Sequence, residues 1–488
     1  FFFMKFVFLT LGSRGDVQPL IPLGVELQNA GHKVVIATQI PFKDWIEKYG
    51  IGFHQLPGNA QELLHSKEGQ TLLASGQGLK FVKLLQGAFP PYFKEAEAAC
   101  QGADVIISVT LTVFIAYTLA EKLKAKFVRM CLVPLQQTNK NPAVILPFYD
   151  LKLGLLNYIS HELMESLFWG RQKAQVNEWR KSLGLLPVTN PFGLTPISLM
   201  QRTPLLAAIS PNVFPKPVDW GPDDQTLMSG FIFWPDSMTD KVQIPAGLPE
   251  FLDRGDPPVY FGFGSMPALE PKKLLDIVRS VVASTGCRAV LCAGWTNLSS
   301  IEDEDDTEES DEKSEWRTKI FRCTSVPHNW LFSKCESIVY HGGVGTTAAA
   351  LKSGVPSIIC STFGDQPFWG RRIHQLGVGP THIPFSKLTA QNLTERVLYA
   401  RQASVRAAAR LLGDKMQKEG NGVRAAAQFL LDKADQAELL RSDMAAVSGW
   451  KVLAWKARNQ AGSIVEALVV ISLLFALLRA TSWFLFSN

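Results

Sequence analysis

The segment 338–356 has the sequence IVYHGGVGTTAAALKSGVP. Its apolar start, clustered glycines and alanine-rich continuation predict a short strand, a tight turn and a helix that ends at Gly354. Such a turn lets the backbone approach a ligand, and the helix start behind it offers unpaired N–H groups and the positive end of the helix dipole to an anion. The segment therefore predicts a diphosphate site, although a turn without any ligand would show the same glycines.

Two neighbouring features favour the ligand. His341 opens the turn, and Gly364, Asp365 and Gln366 follow the next apolar run, at residues 357–360. Ligands of open α/β sheets bind at the carboxyl ends of parallel strands. A second polar loop beside the first therefore suits a sugar attached to the diphosphate.

The composition bounds the function classes. The 488 residues are enough for two to three domains, and 47% hydrophobic content is ample for large cores. A net charge of +5 over this length gives no indication of nucleic acid binding. The seven cysteines include no C-x-x-C pair, so we expect buried thiols in a reducing compartment rather than disulfides or a zinc site.

The first part of the chain repeats the strand, loop and helix order. An apolar run at 5–11 leads into a glycine loop at 12–16, a helix and a second apolar run at 33–38. This βαβ order predicts a parallel sheet, but the G-x-G-x-x-G spacing is absent, so the loop is weak evidence for NAD. Residues 1–11 lack the features of a signal peptide, and we expect them to lead into the first buried strand.

We predict an α/β fold with two Rossmann-like domains whose parallel sheets face each other across a cleft. The first domain is residues 1–215, in which the apolar helical pattern at 151–185 suits an apolar acceptor, although ordinary core packing would show the same pattern. The second is residues 216–435, whose PPVYFGFGSM at 257–266 again runs from a strand into a glycine turn. A tail of residues 436–488 follows.

An acid-rich run at 302–315 has no apolar periodicity, so we predict a disordered surface insertion. It contains Asp303 and Asp305 in a D-x-D arrangement that could bind a metal–diphosphate. We do not expect a metal site here, because such a site needs a rigid strand end.

The tail contains an apolar segment at 464–486, interrupted by Glu466 and Arg479. Its length could cross a bilayer with some tilt, whereas Arg479 inside a span would be costly. A tail anchor, an interfacial helix and a helix that packs on a partner all stay open. We expect the protein at the cytoplasmic side of a membrane, peripheral or tail-anchored.

Taken together, the motifs resemble those of the sterol glucosyltransferases, members of the UDP-glycosyltransferase group with the two-Rossmann GT-B fold. The resemblance covers about residues 5–435. It rests on GSRGDVQP at 12–19, YFGFGSM at 260–266, and PHNWLF, HGGVGTTAAALKSGVP, FGDQPFWG and GVGP within 326–380. Tyr340 stands where a second histidine is frequent, and Pro367 where an aromatic residue is common. The acidic run and the apolar tail lie outside the resemblance.

The resemblance also implies site residues. Asp16 takes the position of the general base, which is Asp in this branch and His in many plant relatives. The implied UDP-sugar site consists of Ser13, Arg14 and Gly15 in the first loop, Ser265, His341, Gly343, Gly345 and Thr346 at the diphosphate, Asp365 and Gln366 at the sugar hydroxyls, and Val326 and Trp330 around the uracil ring. Two alternatives stay open: Asp16 as a helix N-cap and Trp330 as a core residue.

The implied reaction is an inverting transfer of glucose from UDP-glucose to the 3-hydroxyl of a sterol, giving a steryl β-glucoside. A carboxylate would accept the hydroxyl proton, and loop N–H groups with His341 would stabilise the leaving diphosphate without a metal or other cofactor. The expected partners are UDP-glucose, a sterol or similar lipid, and a membrane surface. Three alternatives remain: another lipid or polycyclic acceptor, a UDP-sugar epimerase of the same fold, or a lipid-binding protein that has lost transfer.

Overall fold

Two parallel β-sheets organise the part of the chain that the computed structural model describes, namely residues 3–58, 62, 66, 69, 89–146, 154–222, 225–235, 244–263, 271–292 and 318–460. The chain divides into two units. The first contains the described residues of Phe1–Ala60, Gln86–Phe233 and Asn421–Asn488. The second contains those of Gln61–Leu85 and Trp234–Gly420.

The sheet of the first unit has the strand order β3-β2-β1-β4-β5-β6-β7, and that of the second unit β10-β9-β8-β11-β12-β13. Every neighbouring pair is parallel. The strands are β1 Lys5–Leu9, β2 Lys33–Gln39, β3 Gly52–Leu56, β4 Val105–Val109, β5 Lys126–Cys131, β6 Leu205–Ala207, β7 Thr226–Met228, β8 Val259–Gly262, β9 Ala289–Cys292, β10 Ile320–Cys323, β11 Ser337–Tyr340, β12 Ser357–Ser361 and β13 Ile383–Pro384.

Helices connect most of these strands. In chain order the described α-helices are α1 Arg14–Val17, α2 Leu20–Asn29, α3 Lys43–Glu47, α4 Phe89–Cys100, α5 Val113–Leu123, α6 Gly154–Ser182, α7 Thr195–Met200, α8 Leu248–Asp253, α9 Pro271–Thr285, α10 His328–Leu331, α11 Val344–Lys352, α12 Gln366–Gln375, α13 Ala390–Ala400, α14 Ala403–Glu419, α15 Val423–Gln436 and α16 Gly449–Gln460.

The central strands are buried on both faces. All residues of β4, β8, β11 and β12 are buried, as are four of the five in β1. Helices on both faces of a parallel sheet produce this pattern, and it appears in the sequence as short continuous apolar runs rather than as alternation. The prediction of two parallel-sheet α/β domains is confirmed.

The domain boundaries differ from the predicted ones. The first sheet continues past residue 215 to β7, and the chain returns to the first unit after Gly420. There α15 packs on α2, and Leu440, Ala445 and Val452 are buried in the same core as β1. An apolar helix face does not specify its partner, so the sequence assigned α15 to the second domain and residues after 435 to a separate tail.

Two predictions concern residues outside the described ranges: the acidic insertion at 302–315 and the apolar segment at 464–486. Within the ranges that are described, no helix is both long enough and apolar enough to span a bilayer.

Candidate functional site

In each sheet the order of connection reverses at the centre. β1 leads to β2 on one side, whereas β4 leads to β5 on the other. In the second sheet β8 leads to β9 and β11 leads to β12 in the opposite direction. Because parallel crossovers are right-handed, the helices that follow the two central strands lie on opposite faces and leave a crevice at their carboxyl ends. The predicted catalytic loop follows β1, and the predicted diphosphate loop follows β11.

Asp16 lies in the first turn of α1, the short helix that follows β1. Its Oδ2 accepts hydrogen bonds from the Ser13 backbone N–H at 2.7 Å and from the Ser13 hydroxyl at 3.2 Å. Ser13 in turn caps α1 by accepting from the Gly15 N–H at 3.3 Å, which completes a capping box. The N-cap is therefore Ser13 rather than Asp16, and Asp16 takes part in the cap as the N3 residue of the capping box.

The capping box fixes the Asp16 carboxylate and leaves it able to act on a proton. Burial raises the pKa of Asp16, while the bonds from Ser13 act in the opposite direction. Gly12 makes room for this carboxylate, because a Cβ at that position would lie 2.2 Å from Asp16 Oδ2, and its φ of 146° suits glycine. Arg14 is exposed and holds its guanidinium 4.9 Å from the centroid of the Trp45 ring.

The diphosphate loop after β11 has the predicted form. Gly343 is the N-cap of α11 and, being a glycine, supplies no side-chain cap to the N–H groups of its first turn. Gly345 is exposed, and a Cβ built on it would contact nothing within 4 Å. No described neighbour would clash with a larger side chain at this position. The space beside the Gly345 backbone is therefore open, and a ligand could approach the backbone there. Thr346, one residue further on, is half-buried.

His341 is held as a neutral imidazole. Burial lowers its pKa to about 4, so it carries no charge at neutral pH. Its Nδ1 is enclosed and has no hydrogen-bond partner within the described chain. A buried polar atom without a partner is costly, so this atom marks a place where a ligand could supply one. In this neutral state the histidine can donate one hydrogen bond to an anion.

The structure brings the second predicted loop against the first. At Gly342, whose φ is 96°, a Cβ would lie 3.1 Å from the Cβ of Gln366. Gln366 Oε1 accepts from the backbone N–H groups of Thr362 at 2.7 Å and Phe363 at 3.3 Å, and Asp365 Oδ2 accepts from the Trp369 indole at 2.7 Å. Both side chains are thus fixed within the loop that follows β12.

A third loop, after β10, carries Val326 and Trp330. Val326 is buried, whereas Trp330 is half-buried and lies outside the described core clusters. The Lys334 ammonium lies 4.7 Å from the centroid of the Trp330 ring. Trp330 is therefore not enclosed in either of these two core clusters.

The two remaining predictions on the site concern Ser265 and the metal. Ser265, together with Asp303 and Asp305, lies outside the described residues. Over the described ranges, no group of three or more His, Cys, Asp or Glu side chains is placed to hold a metal ion.

Sequence reasoning missed the residues that support these loops. Ser361 at the end of β12 is hydrogen-bonded through its hydroxyl to His382 Nδ1 at 2.7 Å, and burial together with Arg371 and Arg396 lowers the pKa of His382 to about 4. The Tyr260 hydroxyl is hydrogen-bonded to His328 Nε2 at 3.2 Å. Neither pair is close in sequence, so no local motif could have indicated them.

Two family models match the chain. The one described as the glycosyltransferase family 28 N-terminal domain matches residues 6–110, and the one described as the erythromycin biosynthesis protein CIII-like C-terminal domain matches residues 306–426. The first covers the Asp16 loop, and the second covers the loops of His341 and Asp365.

Whole-chain relatives are more specific. A sterol 3-beta-glucosyltransferase of Komagataella phaffii is 33% identical over 441 residues, covering 89% of this chain and 35% of that protein. One from Arabidopsis thaliana is 32% identical over 451 residues, covering 90% of this chain and 67% of the relative. The chain belongs to the sterol 3-beta-glucosyltransferase family. It spans about a third of the length of the Komagataella member of this family and two thirds of the Arabidopsis member.

The fold of this family member is also found among solved glycosyltransferases. The glycosyltransferase of kitacinnamycin matches with a TM-score of 0.60 at 16% identity, covering 88% of this chain and 99% of that structure. At this identity the likeness concerns the fold, which is the predicted GT-B architecture.

Gly345→Ala should have opposite effects on the stability of the protein and on its affinity for UDP. Alanine is the better helix former by up to about 1 kcal/mol, so we expect a higher unfolding midpoint in urea. The added methyl group would occupy the space beside the exposed backbone, so we expect affinity for UDP to fall by about fivefold or more in isothermal titration.

Gly170→Ala is the matched control, since Gly170 lies within α6 and also has nothing within 4 Å of its ideal Cβ. It should leave UDP affinity unchanged. Equal UDP affinity in Gly345→Ala and the wild type would contradict an anion site at α11.

Proposed function

We propose that the protein transfers glucose from UDP-glucose to the 3-hydroxyl of a sterol, forming a steryl β-glucoside with inversion at the anomeric carbon. The observation that carries the proposal is the identity of about a third, over nine tenths of the chain, with sterol 3-beta-glucosyltransferases. The fixed carboxylate of Asp16 and the uncapped start of α11 after His341 are the chemical groups that the reaction needs.

In the proposed step, Asp16 accepts the proton of the sterol hydroxyl while the oxygen of that hydroxyl forms a bond to the anomeric carbon. A burial-raised pKa suits this role, because a stronger base accepts the proton more readily. The Ser13 bonds keep Oδ2 in place, so proton transfer is assigned to Oδ1. Such general-base catalysis typically contributes about a hundred- to ten-thousand-fold in rate.

The bond that breaks joins the anomeric carbon to the β-phosphate oxygen, and its electron pair leaves with UDP. The charge that builds on this phosphate faces the N–H groups at the start of α11 and one N–H of neutral His341. Oriented donors in a water-poor site stabilise such charge strongly. We propose that these donors, rather than a metal cofactor, serve the leaving group.

Asp365 and Gln366 are proposed to hold the glucose hydroxyls. Their oxygens Oδ2 and Oε1 are already bonded within the loop, which fixes the orientation of both side chains. The Asp365 carboxylate and the Gln366 Nε2 amide are the groups assigned to the sugar. The assignment of UDP-glucose as the donor rests on the membership of the chain in this family.

Product analysis with radiolabelled UDP-glucose and a panel of sterols tests the proposal. We expect a labelled steryl glucoside, lost in Asp16→Asn because an amide cannot accept the proton, with UDP affinity nearly unchanged. Epimerised nucleotide sugar without glycolipid, or binding without turnover, would contradict the proposed function. Wild-type activity in Asp16→Asn would remove this residue from the base role.

We also propose that the protein acts at the cytoplasmic side of a membrane, held at its surface or by its tail. The acceptor is a bilayer component, and the 464–486 segment is apolar. All seven cysteines lie in the described ranges as free thiols, which is typical of a reducing compartment.

Flotation with sterol-containing vesicles tests this location. The full chain should float with the vesicles, and a chain truncated after residue 460 should float less. Recovery of the full chain entirely in the lipid-free fraction would overturn the membrane assignment.

A further inference from the structure

Tyr260 lies in β8, at the centre of the second sheet. Its neighbours Val259 and Phe261 point into the core between the sheet and its helices, whereas Tyr260 packs on the opposite face and is 2% exposed. Its side chain leans over Gly262, where a Cβ would lie 2.1 Å from the phenol oxygen. The glycine therefore leaves the space through which the hydroxyl reaches the carboxyl edge of the sheet.

At this edge Tyr260 joins two other aromatic rings. Its hydroxyl is hydrogen-bonded to His328 Nε2 at 3.2 Å, and its ring meets Phe332 edge-on at a centroid distance of 4.9 Å. His328 in turn stacks on Phe332 at 4.5 Å with an interplanar angle of 14°. Burial raises the pKa of Tyr260 well above its usual value, so the group remains a neutral hydroxyl.

His328 belongs to the loop that carries Val326 and Trp330. It is the first residue of α10, which has only four residues, too few to be stable alone. Val326 precedes His328 by two residues, and Trp330 follows it by two. The side-chain contacts of His328 therefore help to hold this loop on the sheet, together with the buried side chains of Val326, Leu331 and Phe332.

We propose that Tyr260 is a positioning residue for the nucleotide: its hydroxyl fixes His328 and thereby the loop 326–330 that receives the uracil ring. This inference rests on the proposed function, because it takes the donor to be a uridine nucleotide. Tyr260 itself does not touch the nucleotide. Its contribution is to keep the loop in the binding conformation before the donor arrives.

Tyr260→Phe tests the inference, because it removes only the hydroxyl and keeps the ring against Phe332. The loss of the bond to His328, a neutral hydrogen bond, corresponds to about fivefold in an equilibrium, and the hydrogen bond with Cys292 is lost as well. We expect hydrogen–deuterium exchange of the amides in 326–331 to rise about fivefold without nucleotide, and the KM for UDP-glucose to rise similarly at unchanged kcat.

Inorganic pyrophosphate provides a second readout, since it has a diphosphate but no base. In competition experiments against UDP, Tyr260→Phe should bind pyrophosphate with the same affinity as the wild type. Tyr117→Phe is the matched control, because Tyr117 is equally buried and its hydroxyl accepts from Gln201 Nε2 at 2.9 Å in the first unit. It should change neither the exchange in 326–331 nor the affinity for UDP.

The outcomes separate this inference from the proposed function. Unchanged exchange in 326–331, faster exchange with unchanged UDP affinity, or equal losses for UDP and pyrophosphate would each overturn the positioning role. A wild-type protein that binds no UDP would contradict the proposed function and, with it, the nucleotide part of this inference. If Tyr260→Phe does not fold, His328→Phe removes the same hydrogen bond, keeps a ring on Phe332 and should give the same selective loss.

Discussion

The reversal of strand connections at the centre of each sheet is the constraint on which the site depends. Two adjacent parallel strands, β8 and β11, lead to helices on opposite faces, so their carboxyl ends are left uncovered by either helix. The same reversal at β1 and β4 leaves the Asp16 loop at an open edge of the first sheet. Polar loops can be placed there at a lower desolvation cost than inside a core, although Asp16 and His341 are still desolvated by burial.

The close packing of these loops determines the kind of electrostatics available. Gly342 lets the diphosphate loop contact the start of α12, and burial keeps His341 neutral. Oriented N–H groups at the start of α11 therefore offer a positive potential to an anion. Such dipoles need little reorganisation during a reaction, which is an advantage where charge develops on a leaving group.

The sequence predicted the elements and loops of the site because these depend on local pattern. The strand before His341, the helix after it and the loop at Asp365 could all be derived from apolar runs and glycines. The supports that depend on distant contacts could not be derived. The return of α15 to the first unit, the bond between Tyr260 and His328, and that between Ser361 and His382 each join residues whose proximity only the fold creates. Even Asp16 required the structure, because its neighbour Ser13 rather than Asp16 is the cap.

A crystal structure of the protein with UDP is the most direct measurement of the central claim. We expect a β-phosphate oxygen within about 3 Å of backbone nitrogens at the start of α11, with an imidazole nitrogen of His341 at a similar distance. A diphosphate bound elsewhere in the chain, with the first turn of α11 facing only water, would contradict it.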